Sequence, residues 1–113
     1  MERSVQFYRD HLGLKLTRRF EVPENNAEIA FFESEEGLGA IELTHWRNKK
    51  EYVEGDNFDH IAFGVKDLGA TIDKFRKNGV TIAMEPFKLS GGKRQIAFIK
   101  DPDGNWLELI EME

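Results

Sequence analysis

No cysteine occurs among the 113 residues, so the chain can form neither disulfides nor thiolate metal sites. Long apolar runs are also absent, and the longest, residues 61–65, is too short for a membrane span or a signal-peptide core. Basic charge is in deficit: 16 Lys and Arg face 21 Asp and Glu, for a net charge of -5. Because phosphate binding needs a basic face, this argues against a nucleic-acid partner. These absences predict a small cytoplasmic domain with no membrane or nucleic-acid partner.

Helix and strand patterns alternate along the chain. Val5 and Tyr8 recur at helical spacing ahead of Gly13, and a second helix is predicted over residues 68–79. Seven stretches have the composition of strands, at Lys15–Val22, Glu28–Glu33, Ala40–Thr44, 60–65, 80–84, 95–100 and 106–111. The charged segment 46–57 follows neither period, and we predict that it is a linker.

The second half of the chain repeats the first. An offset of 67 places Phe98 on Phe31, and an offset of 66 places Glu108 on Glu42, after one inserted residue in the first copy. The second copy runs strand, helix, strand, strand, strand, whereas the first copy begins at its helix, so its leading strand would fall before Met1. A shared order of elements at a constant offset is typical of a tandem repeat.

The repeat predicts the fold class. We expect an α+β fold of two tandem βαβββ modules, the first lacking its leading strand. Within a single domain over residues 1–113, the predicted boundaries are 1–45 for module one, 46–57 for the linker and 58–113 for module two. The strands of each module are joined by short turns. Asp101–Gly104 has the signature of a type I turn, and its counterpart Ser34–Gly37 keeps the glycine.

Three side chains form the candidate site. Glu42 and Glu108 hold equivalent positions in the two copies, each within an apolar strand, and His60 begins the extra strand of the second copy. Alone, either glutamate is typical of a solvated strand face, and His60 of a strand end bonded to water. Together, the paired carboxylates and the imidazole predict a metal or acid–base site. His45 is expected to be an exposed strand-end residue and His11 to lie at a helix C-terminus.

Five segments in this order resemble glyoxalase I of the vicinal oxygen chelate superfamily, namely residues 4–16, 40–46, 59–65, 91–104 and 107–111. The resemblance implies paired βαβββ modules that each form half of a cupped barrel. It also implies Glu42, His60 and Glu108 as ligands of a divalent metal, with a fourth ligand on the strand before Met1. Nickel or cobalt is favoured for such a site, and zinc or iron(II) also suits imidazole and carboxylate ligands.

The resemblance further implies the reaction. A hemithioacetal of methylglyoxal with glutathione or another thiol would be isomerised through an enediolate, with Glu108 as the base and Glu42 as its symmetric partner. The absent first strand would lower metal affinity and activity. Lys88, Lys93 and Arg94 are candidates to bind an anionic substrate, and each is otherwise an ordinary solvated loop cation. Pairing of modules from two chains would make the protein a homodimer.

Two alternatives remain open at this stage. One is another metalloenzyme of the superfamily, such as an epimerase or a ring-cleaving dioxygenase, although dioxygenases typically use two histidines. The other is a non-catalytic module that binds small molecules, of the bleomycin-resistance type, which shares the fold without the metal ligands.

Overall fold

The computed structural model describes residues 1–35, 37, 39–53 and 55–112, so Glu36 of the predicted turn and Glu54 of the predicted linker lie outside the described residues. The chain divides into two compact units, residues 1–54 and 55–113. Two α-helices and seven strands are assigned in chain order: α1 Glu2–Gln6, β1 Lys15–Val22, β2 Ala27–Glu33, β3 Ala40–Trp46, β4 His60–Val65, α2 Leu68–Lys77, β5 Thr81–Lys88, β6 Gln95–Lys100 and β7 Trp106–Glu111.

The first unit is an antiparallel sheet in the order β1-β2-β3 with a helix on one face. Alternation along β2 directs Glu28, Ala30 and Phe32 to the buried side, which we name the helix face. The ring of Phe32 is fully buried and lies 6.0 Å from that of Tyr8, which follows α1 in a π-helical turn over Phe7–His11. Burial of these rings provides the core of the unit.

The opposite side of the same sheet is more exposed, and we name it the open face. Phe31 on β2 is paired with Glu42 on β3, and both point to this side, since successive residues of a strand alternate between faces. Phe31 is half-buried, while Glu42 and Thr44 are exposed. Along β3 the exposed Glu42 and Thr44 alternate with the half-buried Ile41 and Leu43, in agreement with this register.

The second unit contains a sheet in the order β4-β7-β6-β5. β4 runs parallel to β7, and the other two pairs are antiparallel. Helix α2 buries Leu68, Ile72 and Phe75, and the inner residues of the sheet, Leu107 and Leu109, are fully buried. These three residues are spaced by four and three positions, so they lie on one side of α2 and make that side apolar.

The start of α2 is held by two carboxylates. Asp67 is the N-cap, and its side chain accepts a hydrogen bond from the backbone N–H of Ala70 at 2.9 Å. Glu111 on β7 accepts one from the N–H of Leu68, also at 2.9 Å. Both satisfy N–H groups that have no partner inside the helix, and their negative charge suits its N-terminus. Gly79, predicted to end the helix, has φ 78°.

Matching registers relate the two sheets. Phe31 is paired with Glu42 in the first unit, and Phe98 is paired with Glu108 in the second. The offsets of 67 and 66 relate one pair to the other, since they place Phe98 on Phe31 and Glu108 on Glu42. The fold class predicted from the sequence is confirmed. The module boundaries, 1–45, 46–57 and 58–113, stay a prediction.

Three local features differ from the sequence prediction. β3 continues to Trp46, inside the segment predicted as linker. β5 extends to Lys88 and not to residue 84, with irregular pairing between Met84 and Phe87. Pro86 lies in that interval and has no N–H to donate to the ladder, so the strand passes through it as a bulge. The expectation for His45 was wrong: it is half-buried on the helix face opposite Glu28, because β3 continues past it.

None of the helices in the described part of the chain is both long and apolar enough to span a membrane.

Candidate functional site

Two of the predicted site residues meet on the second sheet. The parallel pairing of β4 with β7 sets Ala62 beside Glu108, so that His60, two positions earlier, lies diagonally across on the same face. His60 Nε2 is 3.0 Å from Glu108 Oε2. The side chain of Glu108 is 15% exposed and that of His60 is 31% exposed, so a solute can reach both donors.

The imidazole of His60 is held on its other side as well. Asp59 Oδ1 lies 2.6 Å from His60 Nδ1, and the ring meets that of Phe98 edge-on at 5.2 Å. The hydrogen bond with Asp59 raises the pKa of His60 above its ordinary value, and the contact with Glu108 acts in the same direction, whereas partial burial opposes both. When a carboxylate accepts a hydrogen bond from Nδ1–H, the lone pair of the neutral imidazole is on Nε2, the nitrogen that faces Glu108. In this tautomer Nε2 can bind a metal ion.

Glu42 occupies the equivalent place on the open face of the first unit. Its side chain is exposed, and Thr44 Oγ1 lies 3.1 Å from Glu42 Oε1, so the hydroxyl can donate a hydrogen bond to the carboxylate. Within neither unit do the described residues place a group of three or more histidines, aspartates or glutamates to hold a metal ion. The structure therefore brings His60 and Glu108 together in one unit and describes Glu42 in the other.

The predicted anion-binding cations lie around one connection of the second unit. Lys88 is the last residue of β5, while Lys93 and Arg94 precede β6, and all three are exposed. Arg94 Nη1 lies 3.8 Å from the sulfur of Met112. The positive charges of all three side chains are available to a ligand.

The sequence prediction missed Asp59 and Thr44. Strand alternation predicts that Thr44 shares the face of Glu42, but it does not predict the hydrogen bond between the two side chains. Asp59 gives no such signal, because adjacent residues of a strand point to opposite faces. It reaches His60 because it lies one position before the first residue of β4, where the chain is not yet in the sheet.

A family model described as Glyoxalase/Bleomycin resistance protein/Dioxygenase superfamily matches residues 1–109. The chain belongs to this superfamily. Members of the superfamily bind divalent metal ions. The match covers both units, so the tandem modules and the strands with the candidate ligands are all included.

Relatives within the superfamily are similar over nearly the whole chain. The lactoylglutathione lyase of Haemophilus influenzae is 41% identical over 113 aligned positions, which cover 98% of this chain and 84% of that protein. Glyoxalase I of Zea mays is 33% identical with a TM-score of 0.88 over 98% of this chain. Glyoxalase I of Leishmania major, described as trypanothione-dependent, is 32% identical with a TM-score of 0.79, covering 98% of this chain and 78% of that one.

The similarity to lactoylglutathione lyases and glyoxalase I helps to choose between the alternative functions that the sequence left open. The present chain spans 40% of the length of the maize structure and 84% of the Haemophilus protein. The function of this superfamily member is glyoxalase I-like, and neither another metalloenzyme nor a non-catalytic binding module is favoured.

Proposed function

We propose that the protein is a metal-dependent lactoylglutathione lyase that isomerises the hemithioacetal of methylglyoxal and glutathione. The observation that carries the proposal is the pair formed by His60 Nε2 and Glu108 Oε2, 3.0 Å apart on an accessible face. The similarity to proteins named lactoylglutathione lyase supports the same reaction. The absence of cysteine from the sequence suits a reducing compartment, so we place the protein in the cytoplasm.

The donors fit a divalent metal. An imidazole nitrogen and a carboxylate oxygen are both common ligands of divalent metal ions. Here both would be available from one accessible face, with Nε2 and Oε2 3.0 Å apart. We propose His60 and Glu108 as two ligands and Glu42, at the equivalent register position, as a third. Imidazole with carboxylates suits nickel or cobalt, which we favour, and also zinc or iron(II).

The chemistry divides between the metal and the carboxylates. A bound divalent ion acts as a Lewis acid toward oxygens of the substrate and stabilises negative charge that develops on them. Glu108 is placed to accept the carbon-bound proton of the hemithioacetal on a carboxylate oxygen, and return of that proton to the neighbouring carbon completes the isomerisation. Glu42, which can accept a hydrogen bond from the hydroxyl of Thr44, is proposed as its symmetric partner.

An assay of metal-reconstituted protein tests this function. Protein stripped with a chelator should not turn over the hemithioacetal, and the addition of nickel or cobalt should restore formation of the thioester product, followed by its ultraviolet absorbance. Absence of turnover at full occupancy with nickel, cobalt, zinc and iron(II) in turn would refute the proposal.

Asp59 is proposed to orient His60 from outside the ligand set. Replacing Asp59 by alanine frees Nδ1, so the ring loses its fixed orientation, and affinity for nickel should fall about 10- to 100-fold. Calorimetric titration measures the affinity, and nuclear magnetic resonance of the imidazole reports whether the tautomer has changed. Asp56→Ala, an exposed aspartate nearby in the sequence, should leave both unchanged. Equal nickel affinity in the two variants would exclude this role for Asp59.

A homodimer is proposed to complete the site. Among the described strands, β3 is paired only with β2, so its other edge can accept a strand. Pairing of modules from two chains would bring Glu42 of one copy to the His60 and Glu108 pair of the other. Light scattering at micromolar concentration should give twice the 13.1 kDa mass of the chain. A monodisperse monomer would contradict the arrangement.

The loop cations Lys88, Lys93 and Arg94 remain candidates for the carboxylates of glutathione. Each is exposed, and together they concentrate positive charge in a chain with a net charge of -5.

A further inference from the structure

Arg18 differs in its surroundings from Arg19, Arg47 and Arg76. Arg19 bonds to Glu28 and Glu2, Arg47 to Glu21 and Glu28, and Arg76 to Glu85. In the part of the chain that the structure describes, Arg18 contacts no carboxylate. Its guanidinium instead lies over two aromatic rings, 4.9 Å from the centroid of Phe20 and 5.5 Å from that of Phe31.

The two rings form a platform on the open face. Phe20 and Phe31 are stacked at 19° with their centroids 6.3 Å apart. A guanidinium over an aromatic face is fixed by cation–π attraction, while its N–H donors point outward from its edge. Such a group can still form paired hydrogen bonds with a carboxylate. The platform therefore fixes Arg18 without using up its donors.

The position of Arg18 connects it to the proposed site. The pairing runs from Arg18 to Phe31 and from Phe31 to Glu42, so the three residues form one row across the sheet. Two strand spacings place the Cα atoms of Arg18 and Glu42 about 10 Å apart. This is about the length of three extended residues, which is the size of a short peptide thiol.

The second unit shows that the fold does not require an arginine here. The equivalent position, paired with Phe98 in the row that ends at Glu108, is Met84. The same sheet register is therefore built around an uncharged side chain in one unit and a cation in the other. The charge of Arg18 is available for a role beyond folding.

From this geometry we infer that Arg18 binds a carboxylate of the thiol part of the substrate. The inference rests on the proposed lyase function and adds a residue that selects carboxylate-bearing thiols. It accounts for an unpaired cation on the face of Glu42 in an acidic chain. Methylglyoxal adducts of thiols without a carboxylate would lack this contact and bind less tightly.

The test compares Arg18→Met, which installs the residue of the other unit, with Arg18→Lys and with Arg3→Met as control. Arg3 is exposed on α1. Metal-loaded proteins are titrated in a calorimeter with S-methylglutathione and with its diester, in which the carboxylates are masked. Loss of a charged hydrogen-bond pair should weaken binding of the free acid about 10- to 100-fold in Arg18→Met.

The diester should bind equally to the wild type and to Arg18→Met. For the free acid, the affinity of Arg18→Lys should lie between those of the wild type and Arg18→Met. The affinity of Arg3→Met should match that of the wild type. In turnover, KM for the glutathione hemithioacetal should rise while kcat stays within about twofold. Unchanged binding of the acid in Arg18→Met, an equal loss for the diester, or no binding of S-methylglutathione to the wild type would overturn the inference. If the wild type binds S-methylglutathione but turns over no hemithioacetal, the lyase function fails, and the titration still decides the role of Arg18.

Discussion

Alanine in place of His60 is expected to reduce nickel affinity by more than about a hundredfold and to abolish lyase activity. Loss of a residue that only hydrogen-bonds to a metal ligand already lowers metal affinity about 10- to 100-fold. The effect should be larger for His60, because it is proposed as a ligand itself. Glu108→Gln should have the same effect on activity, because an amide keeps the size of the side chain but cannot accept the proton.

The fold of both variants should persist. His60 is partly exposed and Glu108 lies on the face of the sheet opposite the fully buried Leu107 and Leu109, so neither fills the core. Metal content after dialysis, activity and thermal unfolding are measured on the same samples. His11→Ala and Glu51→Gln are the controls for metal content and activity, and both should match the wild type in these two measurements. Full nickel occupancy in His60→Ala would show that the ligands are placed elsewhere.

Truncation of Phe32 is expected to give the largest loss of stability. Its ring is fully buried between the sheet of the first unit and Tyr8, and replacing it with alanine leaves a cavity. Substitutions of this kind lower the free energy of unfolding by about 3–5 kcal/mol, which is a large part of the stability of a small domain.

Urea unfolding followed by circular dichroism measures this loss. Phe58→Ala removes the same ring from a site where 45% of the residue is exposed, and it should cost much less. A loss below about 1 kcal/mol for Phe32→Ala would mean that the first unit does not depend on this core contact.

Much of the fold could be read from local patterns. The bounds of β1, β4, β6 and β7 agree with the sequence prediction, since each is a run of strand-forming residues limited by turns. The repeat offsets predicted that Phe31 and Glu42 in the first unit are equivalent to Phe98 and Glu108 in the second, and the pairing registers agree. β5 was underestimated because Pro86 normally ends a strand, whereas here the chain continues through a bulge.

The site was predictable only in part. Equivalent placement of Glu42 and Glu108 selected both carboxylates from the sequence. The contact of His60 with Glu108 depends on the parallel pairing of two strands far apart in the chain, which no local pattern specifies. The bond from Asp59 and the aromatic support of Arg18 depend on side-chain geometry, so they became visible only in three dimensions.

The parallel pairing of β4 with β7 also constrains the order of events during synthesis. β4 is made before α2, yet in the described sheet it is held by β7, the last strand of the unit. While the ribosome is still producing β5 and β6, the segment with His60 has no strand to join, and its edge remains exposed to other chains. Such a long-range contact closes late and slowly. His60 and Glu108 therefore meet only when the unit is complete, so a nascent chain could not capture metal through this pair before its last strand has been added.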